Sequence, residues 1–405
     1  MTWDGTFDPG AFGPPGGTLE LRNLRAVVSG RLGDAPAAAG TVRVEAGRVV
    51  SVGAAPADAD VVVDAAGAVA VPGLVDTHCH VVFGDYTPRQ HAVGFLESYL
   101  HGGVTQVMSA SEVHLPGRPR DRAGVKALAV AAQRAWTGFR PGGVKVRGGS
   151  LICEPVLREP DFAELAAEGV RYMKVGFGAF ADPLEAVPLV GWARTAGFVV
   201  MSHSGGASIP GSSPITVDHL LAMDPTIAGH ANGGTTSLPD DDLERLIDGS
   251  EMALQIVQAG NLRSGLHLLA LAQDRGRLDR VILGTDTPSG TGVMPLGLLK
   301  TVAELTSLGG LDPADTLALA TGNAGRVLGV AEGVLEPGRP ADLVLLSEPL
   351  GGTQTDPLAA LAVGDLPGIA GVVVDGSVRV LRSRNTPAPA REATVTGRSL
   401  SRWPR

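Results

Sequence analysis

The chain is predicted to fold as an α/β protein: a (β/α)8 TIM barrel with a small β-sandwich built from both chain ends. Three observations carry that prediction. Eight short apolar runs alternate with helical patterns through the middle of the chain. Segments of β texture flank this middle on both sides. Metal-seeking residues recur at the ends of the apolar runs, at His78, His80, Lys174, His203, His230 and Asp286, and a barrel carries its chemistry at the C-terminal strand ends.

Residues 1–17 contain Asp8-Pro9-Gly10 and Pro14-Pro15-Gly16-Gly17 and read as a flexible N-terminal arm. From 18 to 72, the N-terminal part of the sandwich, strands are expected at 19–22, 41–44, 48–51 and 61–64, separated by turns containing Gly or Asp. Residues 73–333 form the predicted barrel. Its strands are expected at 73–77, 105–109, 144–147, 171–175, 198–202, 226–229, 252–257 and 280–284. Helices at 88–101, 124–139, 161–168, 184–196, 262–277 and 296–308 carry apolar residues at three- and four-residue spacing. The C-terminal part of the sandwich, 334–382, holds β texture at 342–346 and 371–380, and 383–405 reads as a tail. A doubly wound open sheet is the rival. It would carry a glycine-rich phosphate loop after its first strand, where this chain has His78-Cys79-His80.

A chain of 405 residues holds a barrel of ~250 residues and a second, smaller unit. With 44 % hydrophobic and 19 % charged residues it is globular in composition and not disordered. A net charge of −9 without a Lys/Arg block speaks against a nucleic-acid partner. Cys79 and Cys153 are the only cysteines, so no disulfide framework is expected. The N-terminus shows no basic segment followed by an apolar one, and no apolar run reaches ~18 residues. The expectation is a cytoplasmic protein with no membrane partner.

His78 and His80 stand at i and i+2 after an apolar strand, so both imidazoles leave one face, as a pair of metal ligands would. Asp76, two residues earlier, either orients His78 or plays a structural part at the strand end. His203 and His230 close two consecutive strands and join the candidate ligands. His91, His101, His219 and His267 fall within helical patterns and read as packed side chains. Lysine occurs only at Lys126, Lys145, Lys174 and Lys300, yet Lys174 sits at an apolar strand end. Buried near cations, its amine loses its proton and can add carbon dioxide, giving a carbamate with one oxygen for each of two metals. The alternative is an ordinary lysine paired with a carboxylate. Asp286 can ligate a metal and also take up and release a proton.

This order of residues resembles the amidohydrolase superfamily, as do the closing segments Ala320-Thr321-Gly322-Asn323-Ala324-Gly325 and Gly338-Arg339-Pro340-Ala341-Asp342. The segments Gly84-Asp85-Tyr86-Thr87-Pro88-Arg89-Gln90, Ser208-Ile209-Pro210-Gly211-Ser212-Ser213, Pro288-Ser289-Gly290-Thr291-Gly292 and Ser383-Arg384-Asn385-Thr386-Pro387 resemble its members that open cyclic amides. The resemblance implies cleavage of a lactam, enamide or imide C–N bond by a hydroxide shared between two divalent metal ions, with Asp286 as proton shuttle. Zinc is the first choice of metal; iron and manganese suit similar ligands. At the place of Lys174 some members carry a carboxylated lysine and others a glutamate. Arg89, in the loop after the first barrel strand, is expected to grip a substrate carboxylate, with a surface arginine or an Asp85 pair as the alternative. The expected partner is a small molecule, a carboxylated heterocycle in this reading, and the chain is compatible with homo-oligomers. Two other readings stand beside it: a mononuclear-metal deaminase of a heterocycle, and a non-catalytic binding protein with a vestigial site.

Overall fold

A computed structural model describes residues 17–81, 92–111, 117–207, 213–288 and 294–397. Six short strands come first: β1 (Thr18–Arg22), β2 (Ala26–Val27), β3 (Val42–Glu45), β4 (Arg48–Val52), β5 (Val61–Asp64) and β6 (Val69–Pro72). The middle holds β7 (Leu74–Cys79), β8 (Val104–Ser109), β9 (Lys145–Arg147), β10 (Leu151–Ile152), β11 (Tyr172–Val175), β12 (Val199–Ser202), β13 (Ile227–Ala228), β14 (Ala253–Val257) and β15 (Val281–Gly284). The last four are β16 (Leu343–Ser347), β17 (Gly368–Val374), β18 (Ser377–Leu381) and β19 (Thr394–Gly397).

The middle is α/β with parallel sheets, one of order β7-β8-β9 and one of order β10-β11-β12-β13-β14-β15. A helix follows each of these strands except β9, which is separated from β10 by Gly148, Gly149 and Ser150. That break has a packing cause. A Cβ on Gly148 would lie 2.3 Å from the Trp136 ring, and Gly149 has φ +82° against the helix Arg122–Gly138. The sequence reading anticipated one strand here.

Alternate residues of the parallel strands face two different cores, as strands buried on both sides must. Val75, Met108, Tyr172, Met201, Ile227, Ala253 and Ile282, one from each of seven strands, pack together in one cluster. Val107, Val200, Leu254 and Leu283 face the other way, against helix residues such as Trp136, Phe162, Leu189 and Leu268. The first and last strands of the set also meet: Asp286 N–H donates to the His78 carbonyl (2.7 Å) and His80 N–H to that of Thr287 (2.8 Å).

The flanking strands form two five-stranded sheets, β19-β5-β1-β3-β4 and β18-β17-β16-β6-β2. Each mixes the two chain ends, through β19 on β5 and β16 on β6. Leu21, Val42 and Val63 of one sheet share a core with Ala70, Leu345 and Val373 of the other. β19 lies in the stretch read from sequence as a tail; its Thr394-Val395-Thr396 is β-branched throughout and extends the sheet beside β5. Lys145 at the start of β9 ties the two regions together. Its ammonium meets Glu332 (3.0 Å), Asp342 (2.8 Å) and Asp375 (2.7 Å). Burial lowers its pKa, but the three carboxylates outweigh that and hold it raised. Among the described residues no helix is long and apolar enough to cross a membrane.

Candidate active site

The site gathers where the parallel strands end. β7 and the residue just past it deliver His78 and His80, and the residues just past β15 deliver Asp286. Asp286 Oδ1 lies 2.9 Å from His80 Nε2 and 3.3 Å from His78 Nε2. Ligand atoms of these three residues all fall within 4.8 Å of one another, a group able to hold a metal ion. Asp286 adopts φ +57°, a left-handed conformation that L-residues rarely take. Its neighbours hold it there. Thr285 N–H donates to Asp76 Oδ1 (2.9 Å), the Thr285 hydroxyl donates to Oδ2, and the Tyr99 hydroxyl meets Thr287 Oγ1.

Asp76 also accepts the backbone N–H of His78 (3.0 Å). Asp76 thus joins the backbone of β7 to that of Thr285 just past β15, while the ring nitrogens of His78 face Gln255 and Asp286. Burial pushes its pKa up to about 6, with the hydrogen bonds from Thr285 and His78 opposing.

His203 and His230 stand just past β12 and β13. His203 Nδ1 faces His230 Nε2 at 3.0 Å, while His203 Nε2 faces the Gly206 carbonyl at 2.6 Å. The two rings are 4.6 Å apart, and the His230 ring is 5.3 Å from that of His78. Gly176 makes room after β11. It has φ +124°, and a Cβ there would stand 2.4 Å from the His203 Cβ. Burial first, and then the charge of Lys174, lowers His203 to about 4. Burial likewise drives His78 and His230 well down.

Lys174 is fully buried on β11, with Nζ 3.3 Å from the Met201 sulfur. Burial lowers its pKa to about 8, partly opposed by Asp286. It forms no salt bridge among the described residues, in contrast to Lys145 with three. For Asp286 burial acts upward, but the imidazoles of His78, His80 and His230 outweigh it and hold the carboxyl well below its ordinary range.

The sequence reading missed Gln255, at the centre of β14. Its Oε1 lies 2.7 Å from His78 Nδ1 and accepts the His230 N–H (2.9 Å); its Nε2 donates to Thr77 Oγ1 (2.7 Å). The available signal was a lone amide in the apolar run Ala253-Leu254-Gln255-Ile256-Val257.

These side chains fit a metal centre. Two ligands bound at 2.0–2.1 Å to a tetrahedral ion place their donor atoms about 3.3 Å apart, close to the 2.9, 3.3 and 3.0 Å seen here. His203 donates from Nε2 to a carbonyl, which leaves the Nδ1 lone pair facing His230. Arg89 lies outside the described residues, as do the rest of Gly84–Gln90, Ser208–Ser212 and Ser289–Gly292. The segment after β18 is described and anchors on the helix Ala92–Leu100, with Asn385 Nδ2 donating to the Ser98 carbonyl at 2.9 Å.

Enamidase of Eubacterium barkeri is 42 % identical over 93 % of this chain and 98 % of its own length. A crystal structure of enamidase superposes with a TM-score of 0.89, covering 94 % of this chain and 100 % of the other. Adenine deaminase of Deinococcus radiodurans is 28 % identical over 76 % of this chain, which spans 56 % of that relative. Residues 193–379 match the Amidohydrolase family. The chain belongs to the amidohydrolase family, whose members generally use divalent metal ions.

Proposed function

We propose that this protein is a metal-dependent hydrolase that opens the C–N bond of a cyclic amide: a lactam, an enamide or an imide. The observation that carries the reading is the convergence of His78, His80, His203, His230 and Asp286, with the charge of one buried lysine, Lys174, near enough to act on three of the imidazoles. The relation to enamidase supplies the substrate class. In this reading the two parallel sheets are arcs of one (β/α)8 barrel spanning 73–333. The single inner cluster fed by seven strands and the β7–β15 hydrogen bonds support that closure. The flanking sheets, with their shared core, then form the sandwich.

His78, His80 and Asp286 would hold one divalent ion and His203 and His230 a second, and Lys174, as its carbamate, would supply a further anionic ligand. Zinc suits these donors best. Bound there, the ions supply a nucleophile at neutral pH and polarise the substrate carbonyl. Asp286, kept ionised by its imidazole neighbours, takes up the proton released during attack and hands it to the departing nitrogen. Arg89 would hold a ring carboxylate.

The deciding experiment counts metals in the purified protein and assays it on a lactam carboxylate, an imide, a hydantoin and an aminopurine. Two metals per chain with ring opening supports the proposal. One metal with ammonia release from the aminopurine favours a deaminase, the reading to which the adenine deaminase relatives point. Absence of metal-dependent turnover on all four would leave a vestigial binding site.

A further inference from the structure

Gln255 belongs to no ligand set and carries no charge, yet it occupies the centre of the cluster. Its orientation follows from its partners. Oε1 receives the His230 backbone N–H at 2.9 Å, which only an oxygen can accept. Nε2 faces the Thr77 carbonyl (3.2 Å) and the Thr77 hydroxyl (2.7 Å); that hydroxyl already donates to the Leu283 carbonyl (2.7 Å), so it accepts from Gln255. The amide therefore cannot be flipped. With its oxygen 2.7 Å from His78 Nδ1, that nitrogen must carry the proton. In the neutral imidazole the lone pair is then left on Nε2, the atom 3.3 Å from Asp286.

We infer that Gln255 is a positioning residue that locks His78 in its Nδ1–H tautomer and couples the two halves of the centre through one oxygen. That oxygen orients the His78 ring on one side. On the other it holds the backbone of His230, which turns through φ +36° just past β13. The rest of the amide is tied to β7 through Thr77, so β7, β13 and β14 are fixed relative to one another at the site. An amide suits this place better than a carboxylic acid or an alcohol, because it accepts two hydrogen bonds while donating to Thr77. The inference rests on the proposal that His78 and His230 are metal ligands, since groups that orient such ligands set metal affinity.

Histidine-selective 15N NMR on metal-free protein, with zinc affinity by chelator competition, tests this in Gln255→Leu and Gln255→Glu. The wild type should show His78 as the Nδ1–H tautomer. Gln255→Leu should lose that tautomer and bind zinc ~10- to 100-fold more weakly. Gln255→Glu keeps an acceptor for both donors; it should retain the tautomer and recover most of the affinity, and it carries the test if the leucine variant does not fold. A folded Gln255→Leu protein with the His78 tautomer and zinc affinity of the wild type would overturn the inference, as would loss of the tautomer in Gln255→Glu. A changed tautomer with unchanged zinc affinity would instead overturn the metal reading on which it rests.

Discussion

Lys174 offers the sharpest separation of a functional residue from a structural one. It is fully buried, its Nζ contacts a thioether, and burial lowers its pKa to about 8. Between that value and the unfolded one, about 10.4, the unfolded chain keeps a proton that the folded chain has released. The lysine therefore opposes folding by its full amount below pH 8, and the opposition fades as pH rises through this window. Its size is about 3 kcal/mol, at about 1.4 kcal/mol per pKa unit. Lys174→Met keeps the length and removes the amine. In metal-free protein at pH 7 its Tm should equal or exceed that of the parent, and the difference should shrink towards pH 10. In metal-supplemented protein the same variant should lose the second metal and most of its turnover. The depressed pKa leaves about a quarter of the amine neutral at pH 7.5, against about 0.1 % for an ordinary lysine, so the form that adds carbon dioxide is enriched ~200-fold. Metal-loaded protein equilibrated with 13C-bicarbonate should accordingly show a carbamate carbon by NMR, absent from Lys174→Met. A variant that is strongly destabilised without metal, yet binds two metals and turns over normally, would refute this reasoning.

Three further outcomes are expected. Asp286→Asn keeps one donor oxygen and removes the proton acceptor, so kcat should fall ~100-fold or more; near-parental kcat at full metal occupancy would rule out the shuttle. Arg89→Met should raise KM for a carboxylated lactam ~10-fold or more while sparing an uncharged analogue; equal losses on both would make it a structural arginine. Thr285→Val leaves buried Asp76 short of a donor and should cost about 1–3 kcal/mol in metal-free protein. Because the folded Asp76 pKa, already raised to about 6, would rise further, the loss should be larger at pH 8 than at pH 5 by urea unfolding; equal losses would show that the Asp76 charge is not involved.

Much of the fold was legible because parallel strands buried on both faces write themselves as apolar runs. Each expected strand of the middle region overlaps one in the structure, usually within a residue or two at its ends. Other features depended on signals that periodicity does not carry. The strand break at Gly148 and Gly149 exists because the Trp136 ring approaches the backbone from a helix before it. The helix Asp240–Gly249 went unread, although Asp240, Asp241 and Asp242 in its first turn and buried Leu243, Leu246 and Ile247 mark a favourable N-terminus and one apolar face. Short helices such as Pro313–Leu319 and Pro357–Ala362 are announced by Asp312 and Asp356, each accepting from the first turn ahead of a proline.

The candidate site was legible residue by residue and not as an arrangement. Strand-end histidines can be picked out locally, but what orients them comes from contacts far apart in the chain: His78 to Gln255 across 177 positions, Thr285 to Asp76 across 209. The sequence nonetheless holds an indirect record of these contacts. A buried polar group left without partners costs about 1–3 kcal/mol, and a buried charge more, so a polar residue inside an apolar strand must meet its complement. Asp76 and Gln255 are such residues. Asp76 meets three donors and Gln255 joins three strands, and between them they hold both left-handed residues of the site: Gln255 through the His230 N–H, and Asp76 through the neighbour of Asp286. Strain at His230 and Asp286 persists because this buried polar layer over-determines it, and Gln255 in the same layer aims the His78 ring. Orienting the candidate ligands and holding the strained turns are thus one task of one layer, so a substitution that disturbs either strand's polar residue should move these side chains before it unfolds the protein.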